Sequence, residues 1–158
     1  MKQKRRTMLS SFGVSLTSMG VLGTTPTVSG TKPSMQWEPA AWSNYRNASR
    51  TATDIDWIIL HTIQGSYQAG INTFKAASSD VSAHYVVGTE PGQITKMVQD
   101  SDVAWTAGHS EYNARGINIE LAGFSSNGFP DQQYANVVEL IRYLCEEYNV
   151  PKRHPEYR

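Results

Sequence analysis

The stretch DIDWIILHT, residues 54–62, constrains the fold more than any other part of the chain. Its apolar residues run from Trp57 to Leu60 without a polar break, a pattern typical of a strand buried on both faces in the middle of a sheet. The run then ends in His61 rather than in a turn residue. We therefore predict a central strand with His61 at its carboxyl end, where open α/β sheets keep their binding clefts.

Length and charge limit the class of protein. The chain has 158 residues, of which 39% are hydrophobic, which is enough for one domain with an ordinary core. Four of its basic residues fall within the first six positions, so residues 31–158 carry ten basic against fourteen acidic groups, a net charge near −4. A nucleic-acid surface needs clustered basic charge, and this balance argues against one.

The first 30 residues have the character of a processing segment. A basic head precedes a modestly apolar run, and KRRTML resembles a twin-arginine export signal. We therefore expect an exported protein, extracellular or in the cell envelope. The alternatives are a cytosolic protein with a basic end, or an uncleaved N-terminal anchor; the run is too short and polar to predict a stable membrane span.

Residues 31–53 are rich in Thr, Ser, Pro and Ala and hold no sustained period. Trp37, Trp42 and Tyr45 are interspersed among them. We predict a linker leading into an arm that packs its aromatic side chains on a domain formed by residues 54–158.

The rest of the chain alternates strand and helix patterns. We predict an amphipathic helix within residues 66–78, a hairpin from Tyr85 to Val98, a functional or mobile loop over residues 100–116, a strand over 116–123, and a helix over 131–149. The last helix begins with Asp131 in capping range and carries Tyr134 among its apolar positions. Cys145, the single cysteine, falls at core spacing. This order predicts an α/β domain with a mixed central sheet flanked by helices.

Two side chains stand out as candidates for chemistry. An imidazole that ends a buried strand, as His61 does, needs a hydrogen-bond partner or a metal ion. Glu120 is a carboxylate within the strand GINIELAG, where Ile117, Ile119 and Leu121 share one face and Asn118 and Glu120 share the other. The zinc patterns HExxH and paired cysteines are absent from the sequence.

Three segments carry a family resemblance. IILHT, SAHYVV and DVAWTAGHSEYNARGINIELAG resemble, in order and spacing, the zinc-dependent N-acetylmuramoyl-L-alanine amidases of the type 2 family, relatives of the peptidoglycan recognition proteins. The similarity spans about residues 54–151, and the IELAG strand after the AW-x-AG loop is its most specific part.

The resemblance implies a fold, a cofactor and a reaction. The family fold is a mixed sheet with flanking helices, and one Zn²⁺ activates a water that cleaves the amide between N-acetylmuramic acid and L-alanine. His61 matches the first zinc ligand, Glu120 the general base or proton shuttle, and Tyr85 a tyrosine beside the scissile carbonyl. The expected partner is peptidoglycan or a muropeptide, bound by a monomer, and the residues expected to contact it are Trp105, Thr106, His109 and Asn113.

The sequence also departs from the family. Thr106 stands where the family has histidine in the AW-His-AG loop, and His109 is the candidate substitute. The family's other zinc ligands lie in a Gly-His strand and a Lys-x-Asp-Pro-Gly loop that do not occur here, and His154 is not in that motif. We therefore expect a C-terminally incomplete domain with no second or third ligand assigned.

Three readings stay open from the sequence. The first is the amidase, and the second is a non-catalytic peptidoglycan-recognition module or an inactive truncated homologue. The third is a different metal site built by His61, His84 and His109. We disfavour this last reading because His84 and Tyr85 are adjacent in a strand and point to opposite faces.

Overall fold

The computed structural model describes residues 30–153. The predicted export segment, apart from Gly30, and His154 lie outside these residues. A five-stranded sheet has the spatial order β1-β5-β4-β7-β3, and a two-stranded ribbon joins β2 to β6. The strands are β1 Gln36–Trp37, β2 Tyr45–Arg46, β3 Trp57–Thr62, β4 Tyr85–Val87, β5 Ile94–Lys96, β6 Val103–Ala104 and β7 Gly116–Leu121.

The predicted mixed sheet with flanking helices is confirmed. β7 runs parallel to both β3 and β4, while β4 and β5 form the predicted antiparallel hairpin. The helices are α1 Tyr67–Lys75, α2 Ser110–Arg115 and α3 Asp131–Glu147. The Ser66 hydroxyl caps α1 by accepting a hydrogen bond from the Ala69 amide at 3.1 Å.

Each face of the sheet carries its own apolar core. Leu140 and Leu144 of α3 pack with Ile117 and Ile119 of β7 on one face. On the other face, Ile71 and Phe74 of α1 pack with a second set of side chains, Ala40, Ala83, Val86, Met97, Val98 and Ala104. Strand β4 therefore contributes to both cores, whereas β7 contributes apolar side chains only to the α3 core. Buried polar groups on these strands need local partners.

The position of β3 differs from the prediction. Within the described residues β3 has a single neighbour, β7, and lies at the edge of the sheet rather than in its middle. Leu60 is 46% exposed as a result. The consecutive apolar residues correctly predict a strand, but the prediction that both of its sides are covered is wrong for this part of the chain.

Two other segments also differ from the sequence prediction. The predicted loop over residues 100–116 contains β6 and α2. The last helix ends at Glu147, and Asp131 is its first residue rather than its cap, which is Pro130. Tyr134 is 67% exposed and so lies off the core face of α3, whereas Cys145 is buried as predicted.

The arm preceding the domain is part of the fold. β1 pairs in parallel with β5, and β2 pairs antiparallel to β6. The two arm tryptophans do not pack as predicted, since Trp37 is 50% and Trp42 is 83% exposed. Tyr45, the third aromatic residue of the arm, does pack on the domain as predicted, and Ala40 packs beside it. Among residues 30–153, no helix has the length and apolar character needed to cross a membrane.

Candidate functional site

His61 and Glu120 lie side by side on adjacent parallel strands. His61 of β3 is the register partner of Glu120 of β7. Because register partners in a parallel pair point to the same face, and neighbouring strands are about 4.8 Å apart, imidazole and carboxylate project together from the α1 side of the sheet. The prediction that these two side chains share one face of the sheet is therefore met by the geometry.

The Glu120 carboxylate has one oxygen that makes no hydrogen bond within the described residues. This oxygen, Oε2, is buried. Burial raises the pKa of Glu120 from its usual 4.5 to about 7. A carboxyl whose pKa lies near neutral pH can both accept and return a proton under physiological conditions, which is the property that a general base requires.

Asn118 connects His61 to the interior of the sheet. Its Oδ1 atom lies 3.0 Å from Nε2 of His61. Its backbone N–H donates to Nδ1 of His84 at 3.0 Å, and its carbonyl accepts from the His84 N–H at 3.0 Å. His84 is fully buried, and this burial together with nearby Arg50 lowers its pKa to about 4, so it is a neutral structural residue.

Arg50, from the arm, braces this region. Its Nη1 donates to the carbonyl oxygens of Ala114 and Gly116, both at 3.0 Å. Its Nη2 donates to the carbonyl of Asp100 at 2.8 Å and lies 2.8 Å from Nε2 of His84. One guanidinium thus ties the end of α2, the loop before β6 and the buried histidine together. No sequence signal distinguished Arg50, because it lies in a segment without periodicity.

Tyr85 does not reach this site. It is the register partner of Ile119, so its side chain enters the α3 core, and it is fully buried. Its hydroxyl donates to Oδ2 of Asp100 at 2.9 Å, beside the ammonium of Lys96, which lies 2.8 Å from the same oxygen. Burial raises the pKa of Tyr85 far above its usual range. We therefore withdraw the predicted catalytic role of Tyr85, because its hydroxyl points away from Glu120.

The residues predicted to contact substrate form one loop and the helix that follows it. Asn113 of α2 accepts hydrogen bonds from the backbone amides of Thr106 at 3.2 Å and Ala107 at 2.9 Å. The Thr106 hydroxyl donates to the carbonyl of Ser82. His109 is exposed directly before α2, with its ring 5.0 Å from that of Tyr112. The Asn113 side chain therefore holds the loop, and no hydrogen bond within residues 30–153 joins this loop to His61 or Glu120.

Trp105 lines a cleft rather than the His61–Glu120 surface. The cleft has a volume of about 460 Å³ and is formed by Trp105 and the arm residues Trp42, Ser43, Tyr45, Arg46 and Asn47. A second cavity of about 360 Å³ lies beyond the carboxyl ends of β4 and β7, between Thr89 and the segment 122–130. Neither cavity is lined by His61 or Glu120, which occupy an open part of the sheet face.

The described residues fit a metal ion only in part. His61 suits a ligand role because its Nε2 is held by Asn118 and its Nδ1 has no partner within residues 30–153. No group of three His, Cys, Asp or Glu side chains in this part of the chain could hold a metal ion. The alternative site of His61, His84 and His109 is wrong, because both ring nitrogens of His84 already have partners inside the sheet.

Fold and site together define an α/β protein with an imidazole and a partly buried carboxylate on one sheet face. The chain belongs to the N-acetylmuramoyl-L-alanine amidase family, Amidase_2, whose profile matches residues 51–156. This confirms the resemblance drawn from the three sequence segments.

Two characterised relatives share sequence with the chain. It is 42% identical over 114 residues to N-acetylmuramoyl-L-alanine amidase A of Achromobacter lyticus, covering 72% of this chain and 63% of that protein. It is 36% identical over 74 residues to the 1,6-anhydro-N-acetylmuramyl-L-alanine amidase AmpD of Haemophilus influenzae, covering 43% of this chain and 40% of that protein. The chain thus spans less than two thirds of the length of either relative.

Solved structures agree on the fold. A mutant endolysin from Bacillus subtilis superimposes with a TM-score of 0.61 at 18% identity, covering 76% of this chain and 80% of the endolysin. The hydrolase AmiA of Staphylococcus aureus, solved with its ligand, gives a TM-score of 0.57 at 16% identity, covering 75% and 58%. At such identities the likeness establishes the type 2 amidase fold and nothing further.

Proposed function

We propose that this protein is a zinc-dependent hydrolase that cleaves the amide bond between N-acetylmuramic acid and L-alanine in peptidoglycan. The observation that supports it most directly is the register pairing of His61 with Glu120, which places an imidazole and a partly buried carboxylate on one sheet face. Family membership and the 42% identity to an amidase from Achromobacter lyticus point to the same reaction.

Glu120 carries the proton in this proposal. Its ionised carboxylate accepts a proton from the attacking water as the water oxygen bonds to the lactyl carbonyl carbon. The C–N bond then breaks, and the same proton passes to the leaving nitrogen. The products are a muramic acid carboxylate and a peptide with a free L-alanine amine. A general base placed in this way contributes a factor on the order of 10² to 10⁴ in rate.

His61 is the one zinc ligand that we assign. When bound, zinc acts as a Lewis acid toward the attacked carbonyl and the attacking water. Catalytic zinc usually has three protein ligands, and we assign no second or third ligand among residues 30–153. The role of His61 is to present a neutral imidazole nitrogen at the rim of the groove.

The remaining parts of the proposal concern substrate and location. Thr106, His109 and Trp105 remain our candidates for contacting the glycan or the stem peptide. We also propose that the protein acts as a monomer and is exported through the twin-arginine segment in residues 1–30, which would bring it to peptidoglycan in the cell envelope.

The proposal is tested by digesting purified cell-wall sacculi with the full chain. We expect new peptide amino groups carried by L-alanine and no new reducing sugar ends, and we expect a zinc chelator to stop the release. Glu120→Gln should lose most of the turnover. The matched control is Glu139→Gln, which changes an exposed carboxylate on α3, on the far side of the sheet. Reducing ends without free L-alanine amines would exclude the amidase reaction.

A second candidate is a peptidoglycan-recognition module without catalysis. The observation that favours it is that, among residues 30–153, no three His, Cys, Asp or Glu side chains are grouped so that they could hold a metal ion. This function predicts that the chain binds muropeptides and sacculi but releases no amines at any zinc concentration. Binding by wild type and Glu120→Gln with turnover by neither would decide for the module.

A further inference from the structure

Asn118 makes a specific contact with His61 that the proposed reaction does not account for. The Asn118 Oδ1 atom can only accept a hydrogen bond, so Nε2 of His61, at 3.0 Å, must carry the proton. A neutral imidazole has one protonated nitrogen. The contact therefore leaves Nδ1 as the nitrogen with a free lone pair, and it fixes the plane of the ring.

The backbone of Asn118 is held in two directions. Its N–H donates a hydrogen bond to Nδ1 of His84 at 3.0 Å. Its carbonyl accepts a hydrogen bond from the backbone N–H of His84, also at 3.0 Å. His84 is itself fully buried and lies 2.8 Å from Nη2 of Arg50. Asn118 is thus anchored in the interior of the sheet, while its side chain reaches the edge strand that carries His61.

The stability of the fold does not explain why residue 118 carries an amide side chain. Asn118 is fully buried, yet its Nδ2 atom has no hydrogen-bond partner within the described residues. A buried donor without a partner is unfavourable, and an apolar side chain of similar volume would avoid that cost. The amide is therefore better explained by what its oxygen does to His61 than by its contribution to folding.

We propose that Asn118 is a positioning residue that holds His61 in the Nε2–H tautomer and so makes Nδ1 the nitrogen that ligates or reacts in the groove. The use of Nδ1 as a ligand rests on the proposed function. The tautomer and the orientation of the His61 ring do not depend on it. No contact with substrate is assigned to Asn118. The hydrogen bond acts as the outer partner of a ligating histidine, a role that often tunes such sites.

The experiment is a long-range ¹H–¹⁵N correlation spectrum of the metal-free full chain, which reports which ring nitrogen carries the proton. We expect wild type and Asn118→Asp, which keeps an acceptor oxygen, to show His61 protonated at Nε2. In Asn118→Leu the ¹⁵N chemical shifts of the two His61 ring nitrogens should move toward each other, because the two tautomers interconvert and their shifts are averaged. Exchange of the Nε2 proton with water should become about fivefold faster, the factor that one ordinary hydrogen bond is worth.

Two results would overturn the proposal. Wild-type His61 protonated at Nδ1 would mean that the amide presents Nδ2 to the ring. An unchanged His61 spectrum in Asn118→Leu would mean that other contacts orient the ring. Thermal melting separates a folding defect from the proposed effect, since Asn118→Leu should melt no lower than wild type if the amide is not there for stability. All three readings are taken without substrate, so they stand or fall separately from the amidase reaction.

Discussion

Tyr85 and Glu120 lie on adjacent strands and point to opposite faces of the sheet. Tyr85 is the register partner of Ile119, and Val86 is the partner of Glu120. The tyrosine hydroxyl consequently joins Asp100 in the α3 core, while the carboxylate joins His61 in the groove. Tyr85 therefore contributes to the stability of the fold, while Glu120 is available for chemistry on the opposite face of the sheet.

Tyr85→Phe should leave turnover of sacculi within about twofold of wild type, because the hydroxyl does not face the groove. It should lower the free energy of unfolding by about 1 to 2 kcal/mol, since buried Asp100 loses a donor. Chemical denaturation and the L-alanine release assay measure the two effects. A loss of turnover beyond tenfold with stability intact would return Tyr85 to the active site.

The pH dependence of turnover should follow Glu120. A general base works in its ionised form, so kcat/KM should rise about tenfold per pH unit below the pKa of about 7 and level off above it. The profile is measured on soluble muropeptide. An acid limb with its midpoint near 4.5 would show that the carboxylate is not desolvated in solution.

Glu120→Gln should change stability in a pH-dependent way. The folded-state pKa of Glu120 lies above its usual 4.5, so the folded protein holds this proton more tightly than the unfolded chain. The associated stability is full below about pH 4.5 and is lost as the pH rises through about 7.

Glu120→Gln cannot lose a proton at this position, so its free energy of unfolding should not fall as the pH rises through about 7. It should match wild type near pH 4.5 and be more stable above pH 7.5 by about 1 to 2 kcal/mol, a figure already reduced for solvent screening. Thermal melting across this range measures the difference. A constant gap between the two proteins at all pH values would exclude titration of Glu120 as the cause.

His61→Ala should weaken zinc binding by at least about 100-fold, because it removes the one ligand assigned within the described residues. His109→Ala is the matched control, as it removes an exposed imidazole that directly precedes α2 and whose ring lies beside that of Tyr112. Competition with a chromophoric chelator gives both affinities. Equal affinities for wild type and His61→Ala would mean that zinc binds elsewhere.

The sequence was sufficient for part of the site. Alternation along GINIELAG places Glu120 opposite the core residues Ile117 and Ile119, and the structure agrees. The consecutive apolar run correctly places His61 near the end of a strand. Both are local properties of one strand, and the side-chain period of two residues determines them directly.

Other features depended on pairing between distant segments. Whether Tyr85 or Val86 shares the face of Glu120 follows from the register of β4 on β7, which no local pattern specifies. Arg50 donates to carbonyl groups between 50 and 66 residues away, those of Asp100, Ala114 and Gly116. The helix α2 has six residues, too few for a period to show. The sequence did point to Asn118, because alternation along the strand places it on the same face as Glu120, two residues earlier.

The free side of β3 has a practical consequence for handling the protein. No described strand covers it, so a row of backbone donors and acceptors faces outward beside the half-exposed Leu60. Such an edge is a template for intermolecular strand pairing, which favours aggregation as concentration rises. A lysine in place of Leu60 is the substitution that natural edge strands would suggest for keeping concentrated stocks of this chain in solution.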